Sequence, residues 1–170
     1  MSRRTAWTYC LTAALACGIA TARGAENKEH HHDAKAHHEH EGEHKAAHGG
    51  CLNALGTCEN GHAEVKLESG VLKLWFVGGG ADTEKAVRIP DQQIILAVTL
   101  NGEKEAKSLT LVAKPNELAE EKPGECSQFE GQADWLKGAT QFVATGTVTF
   151  KGRKQAVRVE YPKGYDPDED

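Results

Sequence analysis

From residue 62 onward, polar and apolar side chains alternate along the chain, and this period of two constrains the fold more than any other feature. His62 to Glu68 alternates throughout, and Val71 to Val77 follows after the turn residues Ser69 and Gly70. Such alternation is typical of strands that bury one face and expose the other. Two runs on either side of a short turn predict a β-hairpin.

Similar runs continue to residue 161. Further strands are predicted at 85–89, 93–100, 106–113, 125–130, 141–150 and 155–161, with one helical turn at 133–136. Asn101-Gly102 is among the strongest short patterns for a hairpin turn. Seven or eight short strands in about 100 residues predict an all-β fold, a single small β-sandwich of the immunoglobulin-like type. A small barrel is the alternative.

The inward-facing positions of these strands supply the predicted core. They are large apolar side chains at alternate positions: Val65, Leu67, Leu72, Leu74, Phe76, Leu96, Val98, Leu109, Leu111, Phe142, Val148, Phe150, Val157 and Val159. Trp75 and Trp135 are expected to pack against the domain, because tryptophan contributes large buried area in small proteins.

Residues 1–22 have the composition of a secretory signal peptide. Two arginines precede an apolar stretch, and Ala20-Thr21-Ala22 supplies the small residues that signal peptidase requires. A second interpretation makes Cys17 a lipidated first residue, because Ala14 to Gly18 resembles a lipoprotein signal. The sequence therefore predicts export to a bacterial periplasm or cell envelope, with membrane attachment only if Cys17 is lipidated.

A low-complexity linker, residues 23–50, separates this signal from the domain. From residue 26 it contains no apolar side chain larger than alanine, so it is predicted to be disordered or a fraying helix. The domain is predicted to span residues 51–161, with an acidic tail at 162–170.

The linker holds eight of the nine histidines, and these are the first candidate metal ligands. Neutral imidazole binds Zn, Cu, Ni and Co, and most such rings have a free lone pair at neutral pH. The eight are His30, His31, His32, His37, His38, His40, His44 and His48. The last three are spaced i, i+4, i+8 and would share one face of a helix. A solvated linker without a metal function is the alternative.

Cys51, Cys58 and His62 form a second candidate cluster, where the linker meets the domain. Their spacing matches no common zinc pattern, although thiolate and imidazole suit Cu(I) or Zn. In an oxidising compartment a disulfide is the default, and Cys51–Cys58 is the expected pair, with pairing to Cys126 left open. The alternation predicts that His62 faces solvent together with Glu64.

Charge and composition exclude several classes of function. The formal net charge of −5 provides no basic surface for nucleic acid. Only His62 lies in the predicted domain, so a Ser-His-Asp or Cys-His arrangement is difficult to assemble. Gly78-Gly79-Gly80 is not followed by the helix and lysine of a phosphate-binding loop. The chain is therefore predicted not to be an enzyme.

The order of these features resembles a group of uncharacterised exported His-rich β-sandwich proteins associated with bacterial heavy-metal efflux systems. The similarity lies in the leader, in Gly61-His62-Ala63-Glu64-Val65 and in Lys85-Ala86-Val87-Arg88-Ile89, and it covers roughly residues 45–161. Cys51 and Cys58 are additional to that pattern. The resemblance implies a metal-related role and a periplasmic efflux component as a partner.

Two functions follow from these observations. The first is an exported, non-enzymatic protein that buffers or hands over a divalent transition metal (Zn, Cu, Ni or Co), accessory to efflux. The second is a membrane-tethered lipoprotein whose β-sandwich recognises another envelope protein and whose histidines are only linker.

Overall fold

The computed structural model describes residues 44–168. Within this range, eight antiparallel strands form one continuous sheet in the order β1-β2-β3-β6-β5-β4-β7-β8. The strands are β1 (Cys51–Leu55), β2 (Thr57–Glu68), β3 (Val71–Val77), β4 (Gln93–Leu100), β5 (Lys107–Ala113), β6 (Gln128–Gln132), β7 (Phe142–Phe150) and β8 (Arg153–Tyr161). Short 3₁₀ turns occur at Gly80–Asp82, Glu117–Ala119 and Asp134–Leu136. No helix in the described range is long and apolar enough to cross a membrane.

The predicted all-β fold is confirmed. The sheet curls until its first and last strands meet, an arrangement consistent with a small sandwich or barrel. The contact between these strands is made through Asn53, whose side-chain oxygen accepts a hydrogen bond from the Glu160 backbone N–H at 2.9 Å. Asn53 also forms a parallel bridge to Tyr165. We call this contact of Asn53 with Glu160 and Tyr165 the seam.

The alternation of polar and apolar residues predicted the β2–β3 hairpin and the strand at 93–100 correctly. β2 and β3 pair across Ser69-Gly70, and β4 coincides with the predicted strand at 93–100. The predicted core is confirmed, since every member is buried except Leu67, which is half-buried and packs against the others.

One predicted strand is wrong. Residues 85–89 make only isolated bridges, Val77 to Ala86 and Ile89 to Cys126, because Pro90 ends the run before a ladder can form. The sequence reasoning also missed β1, whose five residues do not alternate.

β2 is buried on both faces between Gly61 and Val65. Ala63 and Val65 belong to the core, whereas His62 and Glu64 alternate with them along the strand and are nevertheless only 2% and 0% exposed. The predicted exposure of His62 and Glu64 is therefore wrong.

The side chains of His62 and Glu64 contact the last residues of the predicted linker, 44–50, which we call the cover segment. Gly50 approaches the sheet so closely that a Cβ atom there would lie 2.5 Å from the Val65 carbonyl oxygen. Only glycine permits this approach.

Folded contacts also continue past Tyr161. The Tyr165 backbone N–H donates to the Leu52 carbonyl at 3.2 Å, and the Tyr165 carbonyl accepts from Ala54 at 2.7 Å. Gly164 has φ +89, and a Cβ atom there would lie 2.4 Å from the Leu52 oxygen. We call residues 162–166 the C-terminal loop, which the backbone bonds of Tyr165 hold against β1.

Candidate metal centre

A cavity of about 450 Å³ lies between the cover segment, the start of β2 and the C-terminal loop. His44, Cys58, His62 and Asp166 are among its lining residues. Cys58 and His62 lie on β2 at a register shift, since Ala54 pairs with His62 but the next residue, Leu55, pairs with Thr57. The ligand atoms of His44, Cys58 and His62 all lie within 4.8 Å of one another, although His44 comes from a different segment.

The orientation of His62 is fixed by the strand beside it. Its Nδ1 atom lies 3.2 Å from the Gly78 carbonyl oxygen, which can only accept a hydrogen bond, so Nδ1 carries the proton. The lone pair of neutral His62 is then on Nε2. Metal-binding histidines commonly use one nitrogen as ligand while the other donates to a backbone carbonyl.

His44 supplies a second imidazole nitrogen at a suitable distance. Its Nδ1 atom lies 3.4 Å from Nε2 of His62, and the two rings are nearly perpendicular, at 87°. Two nitrogens bound to one tetrahedral zinc ion at their usual bond lengths are about 3.3 Å apart. The pair is therefore spaced for one shared ion.

Cys58 and Asp166 lie at the same cavity. The Cys58 thiol donates to Oδ2 of Asp166 at 3.1 Å. The other carboxylate oxygen, Oδ1, accepts the backbone N–H of Asp168 at 2.9 Å. Cys58, Asp166 and Asp168 form a second group whose ligand atoms lie within 4.8 Å, so both groups share the Cys58 sulfur.

The surroundings of His62 favour its neutral form. Burial lowers the pKa of His62, and charge repulsion from the neighbouring His44 ring lowers it further. The Gly78 carbonyl and the carboxylates of Asp166 and Glu59 act in the opposite direction, but the balance remains a lowered pKa. A neutral imidazole is the form that binds metal.

We expect this lowered pKa to make the metal-free protein lose stability in mild acid. Above pH 6.5, the ordinary value for histidine, His62 is neutral in both the folded and the unfolded chain. As pH falls below 6.5, the unfolded chain binds the proton first, so the free energy of unfolding declines until pH passes the lower folded pKa. Urea unfolding with a chelator, at pH values on either side of 6.5, measures the slope. His62→Asn should flatten it, and an unchanged slope would contradict the assignment.

His48 does not join His44 at the cavity. Its Nδ1 atom contacts Oε2 of Glu64 at 2.8 Å, and its ring stacks on Trp75 with centroids 4.3 Å apart. Residues 44–50 contain no helix, only a single turn in which the Gly49 N–H donates to the Ala46 carbonyl at 3.4 Å. The prediction that His44 and His48 share one face of a helix is therefore wrong. The hydrogen bonds of Glu64 hold the cover segment against the sheet instead.

The predicted Cys51–Cys58 disulfide is also wrong, since Cys51, Cys58 and Cys126 are free thiols among the described residues. In the β1–β2 register Cys51 is opposite Val65, at the far end of β1 from Cys58. Four residues of strand span about 13 Å, beyond the roughly 7 Å between Cα atoms that a disulfide allows. Cys51 therefore lies outside the cluster, and burial raises the pKa of its thiol. Protonated thiols are poor ligands.

Of the eleven predicted ligands, the structure brings three together, namely His44, Cys58 and His62. His30, His31, His32, His37, His38 and His40 lie outside the described residues. Sequence reasoning missed Asp166, which it assigned to a solvated tail, and Glu64, which the alternation assigned to the solvent face. Neither has a local sequence pattern that distinguishes it from other surface carboxylates.

The described centre thus offers two imidazole nitrogens, one thiol and a nearby carboxylate. Such donors suit zinc, cobalt and copper ions. The chain was compared with protein-family models, with curated proteins and with solved structures, and none of the three comparisons found a match.

Proposed function

We propose that this protein is an exported, non-enzymatic metal-binding protein that buffers a divalent transition metal or hands it over, as an accessory to heavy-metal efflux. The observation that carries the proposal is the pair of imidazole nitrogens 3.4 Å apart beside the Cys58 sulfur. The signal-like leader and the resemblance noted above support the export and efflux parts of the proposal.

In this proposal the linker and the folded centre have different tasks. The six histidines from residue 30 to residue 40 gather ions weakly, because a compositional histidine tract has no fixed ligand set. His44 follows them by only a few residues and already contacts His62. An ion can therefore pass along the linker by stepwise exchange of imidazole ligands and reach the centre through His44.

The centre retains the ion more firmly than the linker does. Cys58 and His62 are held by β2, so they lose little freedom when an ion binds. Release to a partner would begin when a competing ligand displaces His44, the one ligand of the three that lies outside the sheet, and would finish as further partner ligands replace Cys58 and His62.

Calorimetric titration of the processed protein with Zn²⁺ and Co²⁺ tests the proposal. We expect one tight site with Kd below about 10 µM, which corresponds to roughly 7 kcal/mol, and several weaker sites. His62→Ala should abolish the tight site and keep the weak ones. A second variant should keep the tight site and lose the weak ones. It carries asparagine at six linker positions, His30, His31, His32, His37, His38 and His40.

Cys126→Ser is the matched control for Cys58→Ser, because Cys126 is an equally buried thiol that donates to the Lys122 carbonyl, away from the cavity. Only the Cys58 variant should lose affinity. Unchanged binding in both His62→Ala and Cys58→Ser, or no binding in the parent protein, would contradict the proposal.

A second candidate is the tethered interaction module, and one observation favours it. Ile95 on β4, Val112 on β5 and Val143 on β7 are 58%, 52% and 40% exposed on adjacent strands. The other exposed positions of these three strands are all uncharged. Uncharged exposed surface of this kind is typical of protein contacts. If the titration finds no tight site, this candidate gains support.

A further inference from the structure

We infer that Asp166 is a fourth ligand, and that the centre is an electrically neutral site with two nitrogens, one sulfur and one oxygen, which selects a divalent ion over Cu(I). This inference rests on the proposed metal-binding function. It assigns a ligand that the chain supplies from the C-terminal loop, more than a hundred residues from Cys58.

The position of Asp166 is set by its neighbours. Tyr165 is hydrogen bonded to β1 through both its N–H and its carbonyl, which fixes the backbone next to Asp166. The Asp168 N–H occupies Oδ1, so Oδ2 is the oxygen directed at Cys58. Asp166 is half-buried in the cavity wall, whereas Asp168 is exposed and does not line the cavity.

The sulfur of Cys58 and the carboxylate of Asp166 approach each other about as closely as two ligands of one ion do. Sulfur and oxygen are 3.1 Å apart, and they would be about 3.6 Å apart on a tetrahedral zinc ion. Binding exchanges the thiol proton for the ion. The sulfur keeps the electron pair of its S–H bond and donates it to the metal, and the proton leaves to solvent.

Charge balance determines which ion this set prefers. Thiolate and carboxylate contribute two negative charges, and the two imidazoles are neutral, so a divalent ion makes the centre neutral. Cu(I) would leave one net negative charge beside buried Cys58 and His62, where uncompensated charge is unfavourable. Asp168 adds a further carboxylate within 4.8 Å of the Cys58 sulfur, but it is exposed to solvent, which screens its charge, and Lys163 in the cavity lining carries a positive charge.

The experiment is a Co²⁺ titration of the processed protein, followed by its visible and near-ultraviolet absorption. The parent protein should show the intense visible bands of four-coordinate cobalt and a sulfur-to-cobalt charge-transfer band. Asp166→Asn should lower Co²⁺ affinity at least about tenfold and weaken the visible bands, because the amide is a poor ligand and water takes its place. Its affinity for Cu(I) should change much less.

Glu59→Gln is the matched control, because Glu59 and Asp166 both act on His62 through their negative charge, but Asp166 accepts the Cys58 thiol hydrogen bond and Glu59 belongs to neither ligand group. We expect this variant to bind cobalt like the parent. Asp166→Cys provides a gain-of-signal variant, which should retain cobalt and increase the sulfur-to-cobalt band.

Three results would overturn the inference. The first is an Asp166→Asn protein with the parent's cobalt affinity and spectrum, which would leave the proposed function standing. The second is equal loss in Asp166→Asn and Glu59→Gln, which would mean that charge and not ligation is responsible. The third is a parent protein that binds no metal, which would reject the proposed function as well.

Discussion

Replacing Glu64 with alanine is expected to lower the free energy of unfolding by about 3 kcal/mol. Each buried hydrogen bond to a charged acceptor contributes about 1.5–3 kcal/mol, and the donors that lose Glu64 recover part of this energy by binding water. Oε1 of Glu64 accepts the backbone N–H groups of His48 and Gly50 at 2.7 and 2.9 Å, and Oε2 contacts Nδ1 of His48. Alanine removes every acceptor, so the cover segment should detach. Urea unfolding measures the loss.

The same substitution should weaken metal binding at least about tenfold, because His44 would no longer be held over His62. Glu68→Ala is the matched control on the same strand. Glu68 is exposed and pairs with Lys66 and Lys73, which lower its pKa to about 2, so its removal should change neither stability nor affinity appreciably. Equal effects of the two substitutions would contradict the role assigned to Glu64.

Zinc at a free concentration one hundred times its Kd is expected to raise the free energy of unfolding by about 2.7 kcal/mol. For a folded unit of this size that corresponds to a rise in Tm of about 10 °C. The linker histidines should contribute little to this shift, because they can bind ions equally well in the folded and unfolded chain. A thermal melt with and without zinc therefore isolates the folded centre from the linker.

His62→Ala should eliminate the zinc-dependent shift, even though it leaves the linker intact. The protein with asparagine at the six linker positions should keep the full shift. If zinc stabilises His62→Ala as much as the parent, the stabilising site lies elsewhere. If zinc stabilises neither, the cavity does not hold the ion.

Most of the fold could be predicted because alternating polar and apolar residues indicate strands that bury one face. It succeeded for β2, β3 and β4, where one face meets the core and turn residues mark the ends. It failed for β1, which is too short to show a period, and for residues 85–89, which form only isolated bridges because Pro90 ends the run.

The centre was only partly predictable, because its burial does not come from the hydrophobic pattern. His62 and Glu64 occupy polar positions of an alternating strand, and such positions normally face water. The cover segment buries them through hydrogen bonds and through the stacking of His48 on Trp75. No apolar residue larger than alanine in the cover segment indicates this contact in advance, and Asp166 reaches Cys58 only because the sheet curls.

The seam also affects the rates of folding and unfolding. Asn53 meets Glu160 and Tyr165 across more than a hundred residues, and contacts of such separation form late because a long loop must first be closed. The centre is assembled only when this closure has brought Asp166 to Cys58. A bound ion would therefore stabilise the finished fold but not the folding transition state. Its effect would be a slower unfolding rate with an almost unchanged folding rate, so the metal would lengthen the lifetime of the folded state without speeding its formation.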